Sequence, residues 1–243
     1  MRPYSFPAHV YACAVQNQVV FLDLKRNRYL STELRDLQGV ACAVDGWPAE
    51  LDACDITAGV IRTDADVQAT IANLVSHHLL FPSTERNFSE VPRPACSPAR
   101  TTLLEHLGGG YPQISYSHVL SFVKSAAITR YRLSVCSLYS TIRRIGRRRA
   151  SHPANPQLAD FPLLCHRVAV FRRLRPLLPP SKVPCLLSSL TLLEFLATYG
   201  YFPSLVFGVQ AHPFSAHCWV QHADTVLNST LEEVLTFTPI MVV

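Results

Sequence analysis

The chain lacks long apolar runs, an apolar N-terminal segment and any glycine-rich phosphate-binding motif, and each absence argues against a class of protein. No run of about 18 apolar residues occurs, so we expect no membrane-spanning helix. The first ten residues carry one charge and two prolines but no apolar stretch, so we expect no signal peptide. No phosphate loop is recognisable, so we expect no nucleotide cofactor in this chain.

Charged residues are also scarce, at 16% of the chain, whereas 49% of its residues are hydrophobic. This composition predicts a substantial core and little disorder. The eight cysteines form no CxxC pair and lie inside apolar, periodic segments, which is typical of buried, reduced thiols. We therefore expect a cytoplasmic location, because that compartment keeps thiols reduced.

The first 81 residues predict a small α+β module of the winged-helix-like kind. Three β-rich segments separated by polar turns indicate a meander of strands over residues 10–15, 19–24 and 28–30. Apolar residues at helical spacing predict a helix over 33–44. The capping run at Thr63–Asp66 predicts the start of a second helix.

A proline-rich linker is predicted at 82–100, followed by a second domain over 101–243. Periodic apolar residues indicate one long helix from Ser117 to Ile145 and another from Phe161 to Leu174. The first helix ends in an arginine cluster that an acidic partner, a phosphate or nucleic acid could bind. We favour a solvated helix end and expect no nucleic-acid partner, since no aromatic residues are interleaved with the arginines.

The segment after Pro184 carries the strongest chemical signal. An apolar face at helical spacing runs from Cys185 and stops at Gly200, so Cys185 lies at a helix start. Unpaired amides and the helix dipole stabilise a thiolate there. Strands are predicted next, over 205–209, 217–221 and 225–228. Pairing of these strands could bring His217 to the cysteine as its general base.

This order of elements resembles the papain-like and transglutaminase-like cysteine hydrolases, with helices packed on an antiparallel sheet. The short sequence motifs around Cys185 and His217 resemble those of maturation protein B, the leader peptidase family of lasso-peptide biosynthesis, and the Cys-to-His interval agrees with that family. These motifs are Cys185-Leu186, Ser189-Leu190, Leu205-Val206, Gly208-Val209, Pro213-Phe214, Ala216-His217, Trp219-Val220 and Val226-Leu227-Asn228. Near the N-terminus, residues 19–24 followed by Arg28-Tyr29-Leu30 resemble the family's precursor-recognition element.

The resemblance implies a bacterial leader peptidase in antibiotic biosynthesis. Cys185 would be its nucleophile and His217 its base. The precursor's leader would add as a strand beside Arg28, Tyr29 and Leu30. A separate ATP-dependent macrolactam synthetase, maturation protein C, would then close the ring, so ATP is expected in the partner and no cofactor in this chain.

The chain departs from the family at position 229, where Ser229 replaces the usual aspartate of the triad. A serine accepts a hydrogen bond from the imidazole but carries no charge to stabilise an imidazolium. Asn228, Asp224 or Glu232 could stand in. Three alternatives stay open: a slower enzyme, a shifted triad, or an inactive precursor-binding scaffold that presents the peptide to the synthetase.

A metal site built from His212, His217, Cys218 and His222 is a further alternative. We do not favour it, because the alternating faces of a strand prevent these side chains from converging. For the same reason Cys218 is expected to point away from His217. The sequence analysis therefore predicts no metal.

Overall fold

We describe the protein from a computed structural model. The structure describes residues 3–37, 39–45, 47, 63–83, 97–106, 112–152 and 161–243. The chain divides into two compact units, Met1–Arg93 with Val209–Ser215 and Pro94–Gly208 with Ala216–Val243. The boundary between Arg93 and Pro94 falls within the predicted linker at 82–100, whereas Val209–Ser215, predicted as part of the second domain, groups with the first unit. Most of the linker lies outside the described residues, so it stays a prediction.

In the described part of the first unit there are two small sheets and one long helix. Their bounds are β1 Tyr4–Ser5, β2 Val10–Val15, β3 Gln18–Asp23, β4 Arg28–Glu33, β5 Val44–Asp45, β6 Phe81–Pro82 and α1 Asp64–Ser76. Strands β2, β3 and β4 form the predicted antiparallel meander, with Asp23 opposite both Val10 and Arg28. Strand β1 pairs in parallel with β5 and antiparallel with β6, a second sheet that the sequence analysis missed.

The helix predicted over 33–44 is wrong. The structure has two short 3-10 turns there, Leu34–Leu37 and Ala41–Ala43, followed by β5. Gly39 between them has φ +83°, a left-handed conformation that interrupts an α-helix. A Cβ at this position would come within 2.9 Å of the Val67 side chain, so the turn packs closely on α1.

Helix α1 begins where the sequence predicts. The Thr63 side chain accepts a hydrogen bond from the Asp66 amide, and the Asp66 carboxylate accepts one from the Thr63 amide, which makes a reciprocal capping box. Its buried Ile71 and Leu74 pack with Phe21 of β3 in the core of this unit. The unit therefore has an apolar core of its own.

The second unit is built from helices and one five-stranded sheet. The helices are α2 Leu103–His106, α3 Tyr116–Val135, α4 Leu138–Ser151, α5 Phe161–Leu174, α6 Pro184–Ala197 and α7 Leu231–Leu235. The single helix predicted over 117–145 is two helices. Cys136 is extended with ψ 152°, and the Ser137 side chain caps α4 by accepting a hydrogen bond from the Ser140 amide.

Helix α6 is the buried centre of the second unit and packs against α3 and α5. Its single carboxylate, Glu194, accepts hydrogen bonds from Arg132 of α3 and from Arg148 of α4, the latter at 3.0 Å. One member of the predicted arginine cluster therefore has a structural partner. Phe195 lies 5.7 Å from the Phe171 ring of α5, measured between centroids. These contacts fix the position of α6 and hence of its N-terminal cysteine.

The sheet has the order β11-β8-β9-β10-β7. Its strands are β7 Thr101–Thr102, β8 Ser204–Gln210, β9 Ser215–His222, β10 Thr225–Val226 and β11 Thr238–Val242. Strand β10 pairs antiparallel with β9 but in parallel with β7, so the sheet is mixed rather than wholly antiparallel. The third predicted strand also ends at Val226 rather than Asn228. Both unit cores combine helices with sheets, which confirms the predicted α+β class.

Gly208 on β8 is required by close packing. A Cβ there would lie 2.7 Å from the ring of Trp219 on β9 and 2.8 Å from Phe237. Trp219 is almost fully buried, and its indole N–H donates to the Gln221 side chain at 3.0 Å. The tryptophan thus fills the space that glycine leaves, next to the strand that carries His217. Across the described residues, no helix is both long and apolar enough to cross a membrane.

Candidate active site

Cys185 is the second residue of α6, directly after Pro184. Proline suits the first helical position because its missing N–H would have no intrahelical partner there. The N-cap residue Val183 provides no side-chain cap. The first amides of the helix and the positive end of its dipole are therefore available to a negative charge at this end.

His217 lies on β9, and its side chain lines the same cavity as Cys185. The imidazole is largely buried, with 14% of the side chain exposed. Its ring stacks on Trp219, with 6.1 Å between centroids, and contacts Phe237 at 5.4 Å. The two aromatic rings hold the imidazole in place, so the predicted pair of Cys185 and His217 comes together.

Cys218 also contacts Cys185, which corrects the expectation that it points away. Cys185, His217 and Cys218 all line the same cavity, and the interaction with Cys218 is the largest cause of the lowered pKa of Cys185. The alternation of side chains along a strand therefore does not separate the two neighbours of β9 here. The structure therefore places a second thiol beside the first.

These contacts lower the pKa of Cys185 from 9.0 to about 4. The largest cause is the hydrogen bond from the Cys218 thiol; burial opposes it, and the hydrogen bond and positive charge of His217 add to the lowering. The hydrogen bond to Cys185, then burial and the neighbouring negative charge, raise the pKa of Cys218 well above its ordinary value. We assign the negative charge to Cys185, because it is the more accessible sulfur and lies at the helix start.

A cavity of about 200 Å³ opens at this pair. This volume is below that of usual small-molecule pockets, so the cavity suits a single residue of a bound chain rather than a large ligand. Its lining contains Leu104, Arg175, Cys185, Ser188, His217, Cys218, Asn228, Ser229, Thr230 and Glu233.

Ser229 occupies the position where the sequence analysis expects the triad's third member. Its hydroxyl lies 2.9 Å from Nε2 of His217, and the residue is only 5% exposed. The Ser229 carbonyl accepts a hydrogen bond from the Thr102 hydroxyl at 2.8 Å, which holds this segment in place. Because Nε2 faces Ser229, the other ring nitrogen is left for Cys185. The arrangement of a triad is thus present with a neutral group at its third position.

None of the three predicted substitutes for that residue contacts His217. The Asn228 side chain accepts from the Val220 amide at 2.8 Å and donates to the Ser189 hydroxyl at 2.8 Å. The Asp224 carboxylate accepts a hydrogen bond from the Thr225 hydroxyl. Glu232 is exposed. Asn228 therefore braces the strands against α6 and does not orient the imidazole.

The nearest carboxylate belongs to Glu233, which the sequence analysis missed. Its Oε1 lies 3.9 Å from Nε2 of His217. A local signal for it exists, because Thr230 and Glu233 have the T-x-x-E spacing of a helix start. That signal would have placed α7, and with it Glu233, directly after Ser229.

Two adjacent serines of α6 behave differently. Ser189 donates to the Cys218 carbonyl at 3.1 Å while accepting from Asn228, so it ties α6 to β9. The Ser188 hydroxyl lines the cavity and is buried without a hydrogen-bond partner among the described residues. Ser189 therefore helps to hold α6 against β9. The Ser188 hydroxyl remains as a hydrogen-bond donor in the wall of the cavity.

The residues predicted to bind the leader lie on β4, in the first unit. Strand β4 is at one edge of its sheet and pairs only with β3 among the described residues. The Arg28 guanidinium donates to the His77 carbonyl at 2.8 Å, and its Nε lies 3.6 Å from the Asp23 carboxylate. Leu30 packs on the core. Arg28 and Leu30 are therefore engaged internally, whereas the backbone of β4 forms an edge.

Tyr29 lies opposite Leu22 of β3 and is half-buried. Its ring contacts that of Phe214, which belongs to the same unit, with 5.5 Å between centroids. The role of Arg28, Tyr29 and Leu30 in leader binding stays a prediction.

No group of three or more His, Cys, Asp or Glu side chains within the described part of the chain could hold a metal ion. His212 and His217 fall in different units, and burial lowers the pKa of His222 with a contribution from Arg149. Cysteines are less uniformly buried than the sequence predicts. Cys13 and Cys218 are buried, but Cys42 and Cys136 are exposed.

Comparison with known proteins identifies the part of the chain that holds this site. Residues 127–242 match the family model described as the transglutaminase-like superfamily. Neither the curated proteins nor the solved structures contain a match. The matched segment includes Cys185, His217 and Ser229, so the residues that the structure brings together all belong to it. The chain carries a transglutaminase-like superfamily domain at residues 127–242.

Proposed function

We propose that this protein is a cysteine peptidase that removes the leader from a ribosomally made lasso-peptide precursor before the macrolactam ring closes. The observation that carries the proposal is the cavity in which Cys185, at the start of α6, and His217 of β9 come together. The transglutaminase-like match is compatible with cysteine-protease activity. The resemblance of the surrounding sequence motifs to those of maturation protein B suggests the substrate class.

In the proposed reaction, His217 takes the proton of Cys185 to form a thiolate–imidazolium pair. The thiolate attacks the carbonyl of the bond between leader and core. Amides at the start of α6, including that of Cys185, stabilise the oxyanion. The imidazolium then protonates the leaving amine of the core. Water, with His217 as base, hydrolyses the thioester and releases the leader.

Leader capture is assigned to β4 of the first unit. An edge strand offers unpaired backbone groups to an added strand, which is the usual basis of β-augmentation. Because Arg28 contacts His77 and Asp23, we assign it the role of holding the β4 edge in position. Tyr29 and the backbone of 28–30 would make the contacts with the leader. The alternative is an ordinary three-stranded sheet whose edge is capped or covered.

The freed core amine would pass to an ATP-dependent macrolactam synthetase, which the resemblance implies as a cytoplasmic partner. This chain would need no cofactor, since a thiolate and an imidazole supply the nucleophile and the base. A second candidate, acyl transfer to an amine, has support from the transglutaminase-like match. The two reactions share the acyl-enzyme and differ only in the acceptor.

The test is incubation of the purified full chain with the short precursor peptide encoded beside its gene, followed by mass spectrometry. Free leader and free core, each with an unmodified new terminus, support hydrolysis. Leader joined to an added amine supports acyl transfer. An intact precursor with the wild-type chain contradicts both reactions, and tight binding of that precursor would then favour the scaffold. Cys185→Ala is the control, and it must leave the precursor intact.

A further inference from the structure

Helix α7 begins immediately after Ser229 and carries two glutamates in its first turn, Glu232 and Glu233. In the common capping box, the glutamate at the third helical position reaches back to the amide of the N-cap residue. Here only half of that arrangement forms. The Thr230 hydroxyl accepts from the Glu233 amide at 3.2 Å, but the Glu233 carboxylate is turned toward His217 instead.

The Glu233 carboxylate and the Ser229 hydroxyl both lie on the Nε2 side of the imidazole. Nε2 is 2.9 Å from the Ser229 Oγ and 3.9 Å from the Glu233 Oε1. A neutral hydroxyl orients the ring but stabilises its charged form weakly, whereas a carboxylate at this distance attracts an imidazolium. Both residues line the cavity that contains Cys185.

We propose that Glu233 supplies the negative charge that the triad lacks at position 229, with Ser229 orienting the ring and Glu233 stabilising the imidazolium. This inference rests on the proposed function of the Cys185–His217 pair. Glu233 acts through His217 and is a positioning residue, since nothing in the arrangement requires it to touch the substrate.

The expected size of the Glu233 effect depends on how far its side chain is exposed to solvent. The Glu233 side chain is 49% exposed, so solvent and salt screen its charge, although the imidazole it faces is largely buried. Among the described residues that line the cavity, the other charged or titratable groups are Cys185, Cys218 and Arg175. We expect removal of the charge to lower the proton affinity of the imidazole beside the Cys185 thiolate about threefold to fivefold at low salt.

The experiment measures labelling of Cys185 by iodoacetamide against pH, by mass spectrometry of the full chain, which requires no precursor. Glu233→Gln keeps the shape of the side chain and removes its charge. Glu232→Gln is the matched control, because it removes the same charge from the same helical turn without a contact to His217. We expect the alkaline inflection of the labelling curve, where the imidazolium beside the thiolate loses its proton, to move to lower pH for Glu233→Gln alone, and the displacement to disappear in about 1 M salt.

Superimposable curves for Glu233→Gln and wild type would overturn the inference, as would an equal displacement for Glu232→Gln. A second variant keeps the test meaningful if Glu233→Gln alters folding. Ser229→Asp combined with Glu233→Gln returns a carboxylate to the Nε2 side, so it should move the alkaline inflection back toward that of wild type. If the displacement is found but the wild-type chain cleaves no precursor, this inference holds and the proposed peptidase fails.

Discussion

The start of α6 and the edge of β4 are the two places where the sequence analysis puts chemistry, and they are built in opposite ways. At α6, side chains from a helix start and a strand converge on one sulfur. At β4, the named side chains Arg28 and Leu30 turn inward, and what remains outward is backbone. Chemistry at the start of α6 depends on single atoms. Recognition at the edge of β4 depends on an unbroken row of backbone groups along the strand. Point substitutions should therefore affect the two places very differently.

The largest expected effect is at Cys185. Cys185→Ala removes the nucleophile and should lower precursor cleavage by at least about a thousandfold. Leader binding at β4 should be unchanged, because the substituted residue lies in the other unit. Cleavage is followed by mass spectrometry and binding by titration calorimetry. A variant that still cleaves, or that loses affinity for the leader, would break the contrast between the two places.

Asp23 is the residue on which the β4 edge most depends. It is fully buried, accepts hydrogen bonds from the amides of Lys25 and Arg26, and lies beside Arg28. Burial raises its pKa, but the hydrogen bonds from the backbone and side chain of Arg26 outweigh burial and lower it. Asp23→Asn should therefore cost about 2 kcal/mol of unfolding free energy near pH 7.

This stabilisation has a defined pH range. Because the folded pKa lies below the ordinary value, the contribution is present above about pH 3.9 and is lost as the pH falls through the folded pKa. Urea unfolding of the wild-type chain and of Asp23→Asn should therefore differ at pH 7 and converge in stronger acid. A gap that widens in acid would show that Asp23 is not held as a carboxylate.

Cys218 allows the contribution of a neighbouring thiol to the reactivity of Cys185 to be measured. Cys218→Ala removes the thiol that donates to the Cys185 sulfur, the largest cause of the lowered pKa. The acid limb of Cys185 labelling should move to higher pH, equivalent to about a tenfold rise in proton affinity. Cys218→Ser keeps a donor and should lie between the two. An unchanged curve for Cys218→Ala would leave His217 and the helix start as the sources of activation.

The smallest expected effect concerns the adjacent serines of α6. Ser189→Ala removes a hydroxyl that joins Asn228 to the Cys218 carbonyl, and should cost about 1–2 kcal/mol of unfolding free energy. Ser188→Ala removes a hydroxyl that has no described partner, and its cost should be within about 0.5 kcal/mol. Urea unfolding of both variants measures the difference. Equal costs would mean that the network around Asn228 does not hold α6 to the sheet.

Local signals predicted much of the part of the fold that carries the site. Pro184 and Gly200 bracket α6, and apolar runs indicated β8 and β9, because each signal acts on residues close in sequence. The structure accordingly brings Cys185 and His217 together as expected. The meander β2–β4 and the start of α1 were also predictable from turns and a capping box.

What the sequence did not reveal depends on contacts between distant segments. The thiol of Cys218 meets Cys185 because α6 crosses the backbone of β9, and strand alternation alone predicts the reverse. Strand β7 pairs with β10 across more than a hundred residues of chain, which no local pattern records. The T-x-x-E spacing of Thr230 and Glu233 could have placed Glu233 in the first turn of a helix. The orientation of its carboxylate toward His217 could be seen only in the structure.

The central claim is that Cys185 is held as a thiolate by its neighbours, and alkylation tests it most directly. The wild-type chain is treated with iodoacetamide between pH 5 and pH 8, and each cysteine is quantified by peptide mass spectrometry. The account predicts that Cys185 is already labelled rapidly at about pH 5, well before the exposed Cys42 and Cys136. Labelling of Cys185 that is no faster than that of these two thiols at acidic pH would contradict it.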